Sequence, residues 1–327
     1  MLPLIRNETM KVWRKKRFFV ILLILAVLIP MFTYAQLKAA ESFRQQSGTT
    51  DWRIQAETRI NDYQNRLNSA RIPEEWKAYI RVEMQRLQYY LERDIDPEAP
   101  SAVTFAREFT ENSVELFLPL MVMVIASDLV SSEHSQGTIK LLLTRPVRRW
   151  KVLASKFVAL MFYVSLTVLS TALLSYLISG VAFGYSGWQA PVLTGFSMTQ
   201  TGIDTSQAMI VPQWHYVLMV LGLAWFSCLV VGFLSLMVSV LVRSTAAGMG
   251  IMLAVLIAGT ILANMASTWE SAKYLFMVNL DTVAYLAGRM PPIQGMTLPF
   301  SLAVLGVTAL LSLLVSFGVF TRRDVMN

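Results

Sequence analysis

The chain has 327 residues, 55% of them hydrophobic and only 15% charged, with a formal net charge of +7. Soluble domains carry about 25% charged residues, and here the apolar excess falls in runs long enough to cross a bilayer, which needs about 20 apolar residues per helix; one water-soluble domain is excluded. The positive charge sits beside the apolar runs, so it reads as membrane orientation and not as a nucleic-acid surface.

At the start, Leu2, Leu4, Ile5, Val12 and Trp13 alternate with Arg6, Asn7, Glu8 and Lys11. This pattern predicts an amphipathic helix within residues 1–17, lying in the membrane interface with its basic residues toward headgroups; a disordered basic tail is the alternative. The first span follows at 18–36. Its flank Arg14-Lys15-Lys16-Arg17 resembles that of a signal peptide, but the run exceeds a signal core and Gln36-Leu37-Lys38 is a poor cleavage site, so a retained anchor is expected.

Residues 37–113 form the large polar region. Ile60, Tyr63 and Leu67, then Trp76, Ile80, Met84, Leu87 and Leu91, recur at helical spacing. Pro73-Glu74-Glu75 is a helix start and Asp96-Pro97 a stop. Two amphipathic helices folded as a hairpin on the outer face are expected, their apolar stripes either packing on each other or serving cargo recognition.

The second span is placed at 114–130, with Pro119 able to kink it, as Pro30 can kink the first. A connection at 131–156 leads to a third span at 157–183. Ser165, Thr167, Ser170, Thr171 and Ser175 in that span bond back to helix carbonyls or line a polar cavity. A loop at 184–215, a fourth span at 216–242 and a fifth at 246–266 follow. Ala246, Gly250, Ala254 and Ala258 make a small-residue stripe that lets another helix approach closely, within this subunit or from a second one. Residues 267–297 are a further outer loop in which Tyr274 to Leu286 is semi-apolar and reads as a re-entrant or interfacial helix, ended by Met290-Pro291-Pro292. The sixth span is 298–320, and 321–327 is a tail.

The basic residues set the orientation. Residues 1–17, the connection with Lys140, Arg145, Arg148, Arg149, Lys151 and Lys156, then Arg243, then Arg322 and Arg323, all fall on one side if six helices cross in turn. The positive-inside rule makes that side the cytoplasm and places both termini there, in the cell membrane.

The connection is the informative stretch. Ser131 and Ser132 are candidate caps, Ile139, Leu141, Leu142 and Leu143 make one side apolar, and Pro146 ends the helix. Such a short surface helix can dock into a groove on a cytosolic partner. In the order of Glu133, Gly137, Thr138, Leu142, Pro146, Arg149 and Lys156 the sequence resembles the ABC-2-type transporter permease family, as it does in its amphipathic start with Glu8, its six-span layout and its short basic end, Thr321 to Val325. The region 37–113 exceeds the short connection of many members.

The resemblance implies an all-α polytopic membrane protein: six transmembrane helices, an N-terminal interfacial elbow helix with Glu8 and Trp13, and an ATPase-coupling helix at 131–146, the coupling residues of the connection being Glu133, Gly137, Thr138, Leu141, Leu142, Pro146 and Arg149. It also implies the partners: two cytosolic ATP-binding-cassette subunits that bind ATP and Mg, a second permease (identical or related), possible contact with it through Ala246, Gly250, Ala254 and Ala258, and membrane lipids. The expected role is to carry a substrate out of the cytoplasm with energy from the ATPase. The mostly uncharged spans favour an amphipathic or apolar cargo.

Against this stand a stand-alone channel or secondary transporter and a membrane-embedded enzyme. No G-x-x-x-x-G-K-[ST] phosphate loop occurs, since Gly137-Thr138-Ile139-Lys140 lacks the spacing, so neither catalysis nor a nucleotide or metal cofactor is expected in this chain. Its two histidines, His134 and His215, are expected on opposite sides, and the single Cys228 forms no internal disulfide. Asp128 and Glu115 lie near opposite ends of the second span and read as interfacial residues, so the ionisable groups that an ion-coupled transporter or intramembrane protease keeps at mid-depth are scarce.

Overall fold

The computed structural model describes residues 1–47, 51–68, 74–96, 100–135, 137, 147–195, 197–199, 202–204, 206–242, 244–265, 269–289 and 291–322. They are mostly helical, in the order α1 (Leu2–Arg14), α2 (Arg17–Ser47), α3 (Trp52–Leu67), α4 (Glu74–Glu92), α5 (Ala102–Ser113), α6 (Phe117–Ala126), α7 (Asp128–Ser135), α8 (Arg149–Phe183), α9 (Gln213–Leu241), α10 (Thr245–Met265) and α11 (Leu298–Arg322). Five helices are long and apolar enough to cross a membrane: α2, α8, α9, α10 and α11. This is a multi-pass membrane protein. Val158, Phe162, Leu169, Leu173, Leu177 and Val181 stand exposed along α8, as Phe19, Val20, Leu23 and Val27 do along α2. In a bilayer such faces meet lipid, where hydrocarbon replaces the missing protein contact. Trp13 and Trp150 mark one end of this apolar surface and Tyr185, Trp188 and Trp214 the other, the positions interfacial aromatics favour.

The second apolar run is not one straight helix. Continuous hydrophobicity begins at 114, yet the path across the bundle begins at Ala102. There α5 lies along α8 and α9, the chain turns by 64° between α5 and the next helix, and α6 and α7 continue to the basic end. Glu108, Glu111 and Arg107 dilute the hydropathy of α5, yet Ala102, Val103, Phe105, Ala106, Thr110 and Glu111 itself are buried. So 102–113 packs within the bundle, instead of belonging only to the polar region. Pro119 sits in the first turn of α6, where its missing N–H costs nothing; the bend falls at Val114–Leu116, ahead of it.

α3 and α4 lie against each other, and Tyr89, Tyr90 and Ile95 at the end of α4 pack on Leu193. Leu193 belongs to a small sheet that the loop expectation for 184–215 missed. β1 (Pro191–Thr194) pairs antiparallel with β4 (Met209–Pro212), and β2 (Ser197–Thr199) pairs with β3 (Gly202–Asp204). Gly195, at φ 82 beside the Gln207 carbonyl, turns the chain where a Cβ would collide.

The expected helix at Tyr274 to Leu286 is corrected to three short 3-10 turns, Glu270–Tyr274, Phe276–Asn279 and Val283–Tyr285. Backbone groups there bond to side chains in place of a ladder: Asn279 Nδ2 donates to the carbonyls of Lys273 and Leu275 at 2.8 Å each, and Ser227 Oγ donates to Leu280 O at 3.0 Å. Met277 fills the space over Gly259 on α10.

Candidate functional site: a buried ion-pair clamp

At the basic end, α1, α7 and α8 meet around Lys156. Its side chain is fully buried, inside a helix otherwise lined by Leu153, Phe157 and Leu160. A buried ammonium has three protons to satisfy, and here all three are used: Nζ donates to Glu8 Oε2 and Glu133 Oε1 at 2.7 Å each and to the Leu129 carbonyl at 2.8 Å. Lys11 Nζ spans the same two carboxylates, at 2.7 Å from Glu8 Oε1 and 2.7 Å from Glu133 Oε1. Two acids and two lysines from three elements thus form one alternating ring. Burial pulls the Lys11 ammonium down, but the carboxylates of Glu133 and Glu8 outweigh it and hold its pKa above the ordinary lysine value.

A second group extends the ring toward α2. Asp128, at the start of α7, takes Lys15 Nζ at 2.7 Å and Arg17 at 2.8 Å. Lys15 also donates to Ser132 Oγ, and Arg17 to the Val124 carbonyl. Lys16, at φ 58, makes the tight corner between α1 and α2 that aims Lys15 and Arg17 to one side. Tyr163 OH donates to Thr9 O at 2.8 Å, and its ring lies 5.8 Å from Phe18. α1 is therefore fastened along its length to α7 and α8.

The break between α6 and α7 is fastened to α9 by one side chain. Ser239 Oγ donates to Ser127 O at 2.8 Å and accepts from the amides of Val130 and Ser131 at 3.2 and 2.9 Å. Ser131 and Ser132 are not caps. They lie inside α7 and donate back to the carbonyls of Ser127 and Asp128, while the helix begins at Asp128. Ser131 Oγ also meets Thr245 Oγ1 at 2.9 Å, and Arg149 NH1 donates to Thr321 O at 3.4 Å, drawing α10, α8 and α11 to the same end.

Of the expected site residues, the structure brings Glu8 and Glu133 together and places Arg149 in the first turn of α8, beside α11. Gly137 is exposed at φ 67, just past the end of α7, so one helix does not run unbroken from 131 to 146. Thr138, Leu141, Leu142 and Pro146 lie outside the described residues, as do Arg243, Met290 and Arg323. Trp13 is exposed and stands apart from the clamp. Ala246, Gly250, Ala254 and Ala258 are all exposed, and nothing lies within 4 Å of where a Cβ on Gly250 would stand. Of the hydroxyls of α8, Ser165, Thr167 and Thr171 donate back to the carbonyls of Met161, Tyr163 and Thr167, and Ser165 also accepts from Trp225 Nε1 at 2.8 Å.

Sequence reasoning passed over Lys11, Lys15 and Arg17 as orienting charges, and over Asp128 as an interfacial residue. The available signal was compositional: Glu8, Asp128 and Glu133 are acids in segments otherwise dominated by basic charge, and an acid there needs a partner. No group of three or more His, Cys, Asp or Glu among the described residues is arranged to hold a metal ion. His215 stacks on Trp214 at the opposite end of the bundle from the clamp.

A family profile described as a protein of unknown function, DUF2705, matches residues 77–326. The chain is 27% identical over 329 residues to the uncharacterized protein YhcI of Bacillus subtilis (strain 168), covering 100% of both chains. It is 29% identical over 218 residues to the uncharacterized membrane protein YdbK of the same organism, covering 65% of this chain and 80% of that one. With well over half its length matched, the chain belongs to the DUF2705 family.

Proposed function

We propose that this DUF2705 member is the membrane-spanning permease subunit of an exporter driven by a separate ATP-binding-cassette ATPase, as its resemblance to ABC-2-type permeases implies. In this reading the bent path α5–α6–α7 is a sixth span, the basic end is cytoplasmic and α1 is the interfacial elbow. The stretch 131–146 touches the ATPase, and α3 with α4 forms an outer helical hairpin. A second permease completes the transport path, and the cargo is amphipathic or apolar.

One observation carries the proposal. The acid that opens the family-like motif, Glu133, is locked through Lys156 and Lys11 to the elbow and to α8. A push delivered just beyond Glu133 by an ATPase would reach the spans through ion pairs and packed helices, because charged hydrogen bonds in a buried ring resist separation.

The test is affinity purification of the tagged chain from its native membrane, followed by transport in sealed vesicles. An ATPase should co-purify, and cargo flux should need ATP. Glu133→Gln combined with Gly137→Leu should uncouple flux from hydrolysis, with folding checked by the melting curve. Flux without nucleotide from the chain alone would establish the stand-alone transporter instead.

A further inference from the structure

The face of α1 turned away from the clamp has its own chemistry. Leu2, Pro3, Arg6, Asn7, Met10 and Arg14, with the edge of Lys11, line a shallow concavity of about 440 Å3. Leu2 and Met10 are 81% and 43% exposed. Arg6 and Arg14 are exposed, and neither side chain has an ion pair among the described residues. At helical spacing Leu2 and Trp13 run along one edge of this face, and Asn7, Lys11 and Arg14 along the other, with Arg6 and Met10 between them.

The apolar edge does not end with α1. The Trp13 ring meets Phe19 edge-on at 4.6 Å, and Phe19 begins the exposed apolar surface of α2 with Val20 and Leu23. That surface faces lipid, so the apolar edge of α1 joins the acyl region and the basic edge stands at headgroup depth. We propose that this face is a seat for one anionic phospholipid, its phosphate between Arg6 and Arg14 and its chains running past Met10 and Trp13 onto Phe19. A soluble phosphate would use the cations and leave the apolar edge without a function. Because Lys11 at the edge of this face and Glu8 on the opposite face both belong to the clamp, a lipid seated here also steadies the clamp. This inference does not depend on the permease reading.

The experiment uses the purified full-length chain, with phosphatidylglycerol, phosphatidylcholine or inorganic phosphate added in separate arms. Native mass spectrometry counts retained lipid, and a melting curve reads stability. Phosphatidylglycerol should be retained and should raise the melting temperature, and the other two should not. Each basic residue near an anionic surface is worth on the order of a five-fold preference, so Arg6→Gln with Arg14→Gln should cut retention by up to about 25-fold. Leu2→Ser with Met10→Ser should also lose lipid with both cations present. Arg53→Gln with Arg66→Gln, on distant α3, should leave retention unchanged. Equal retention of both lipids, protection by phosphate alone, or full retention by the Arg6/Arg14 variant would overturn the proposal. Melting without lipid shows that each variant is folded.

Discussion

Lys156 illustrates how a charge is tolerated in an apolar helix. Desolvating an ammonium costs several kcal/mol, and only good geometry with every proton used offsets it; the three acceptors at 2.7, 2.7 and 2.8 Å meet that condition. Lys156→Ala should therefore destabilise the protein by about 3–5 kcal/mol, since it strands buried carboxylates, while Lys156→Met with Glu8→Gln should recover part of that loss. Melting curves of the purified chain read both. Lys11 supplies a pH test. Its folded pKa is raised above 10.5, so its contribution is complete below that value and is lost as pH rises through the folded pKa. Stability should be flat with respect to Lys11 at neutral pH and fall on the alkaline side, and Lys11→Met should flatten that alkaline limb. Glu83 on α4 behaves differently. Burial raises its pKa above 4.5 against the pull of Arg86 and Arg289. For an acid raised in this way, the stabilising contribution is present below 4.5 and lost as pH rises through the folded value. Glu83→Gln should raise the melting temperature near neutral pH and leave it unchanged in acid.

At the scale of elements, the interrupted path α5–α6–α7 is the least regular part of the bundle and depends on side chains for its backbone bonding. Ser239 satisfies three backbone groups across the α6/α7 break. Leaving buried groups unpaired costs about 1–3 kcal/mol each, so Ser239→Ala should destabilise by a few kcal/mol and speed hydrogen exchange at the Val130 and Ser131 amides before the rest of α7 responds. The crossing of α9 with α6 and α8 is equally specific. A Cβ on Gly232 would meet Val122 and Leu160 at 3.2 and 3.4 Å, and Gly232→Leu should lower the melting temperature by overpacking, at about 1–3 kcal/mol.

For the whole molecule, the clamp, the Ser239 bridge, the Ser131–Thr245 contact and the Arg149–Thr321 contact lie at one end of the bundle. The aromatic cluster of Tyr176, Tyr185 and Trp188 and the small sheet lie at the other. The basic end is thus tied by the ion-pair clamp and hydroxyl bonds, and the opposite end by packing, strands and polar pairs such as Arg107 with Glu108 and Gln213 with Thr104. On α10, Ala246, Gly250, Ala254 and Ala258 present a smooth exposed stripe, the shape that permits close helix contact in lipid. Cysteines at Gly250 and Ala254 should give a crosslinked dimer in native membranes; a monomer under every oxidant would assign the stripe to lipid.

Much of this protein is determined by sequence alone. Long apolar runs force membrane-spanning helices, because a backbone in hydrocarbon must bond to itself, and α2, α8, α9, α10 and α11 each follow from such a run. Glu8 and Glu133 stand out because acids are scarce among the basic residues that flank those runs. What distance along the chain conceals was decided by the tertiary structure. Glu8 and Lys156 are 148 residues apart yet share a hydrogen bond, and no local pattern encodes a pair of that separation. α5 escaped hydropathy because its charges average with its buried face, and 270–285 departs from an α-helix because Asn279 and Ser227, placed by packing, take its carbonyls. Local propensity chose the helices, while burial of charge chose which of them had to meet.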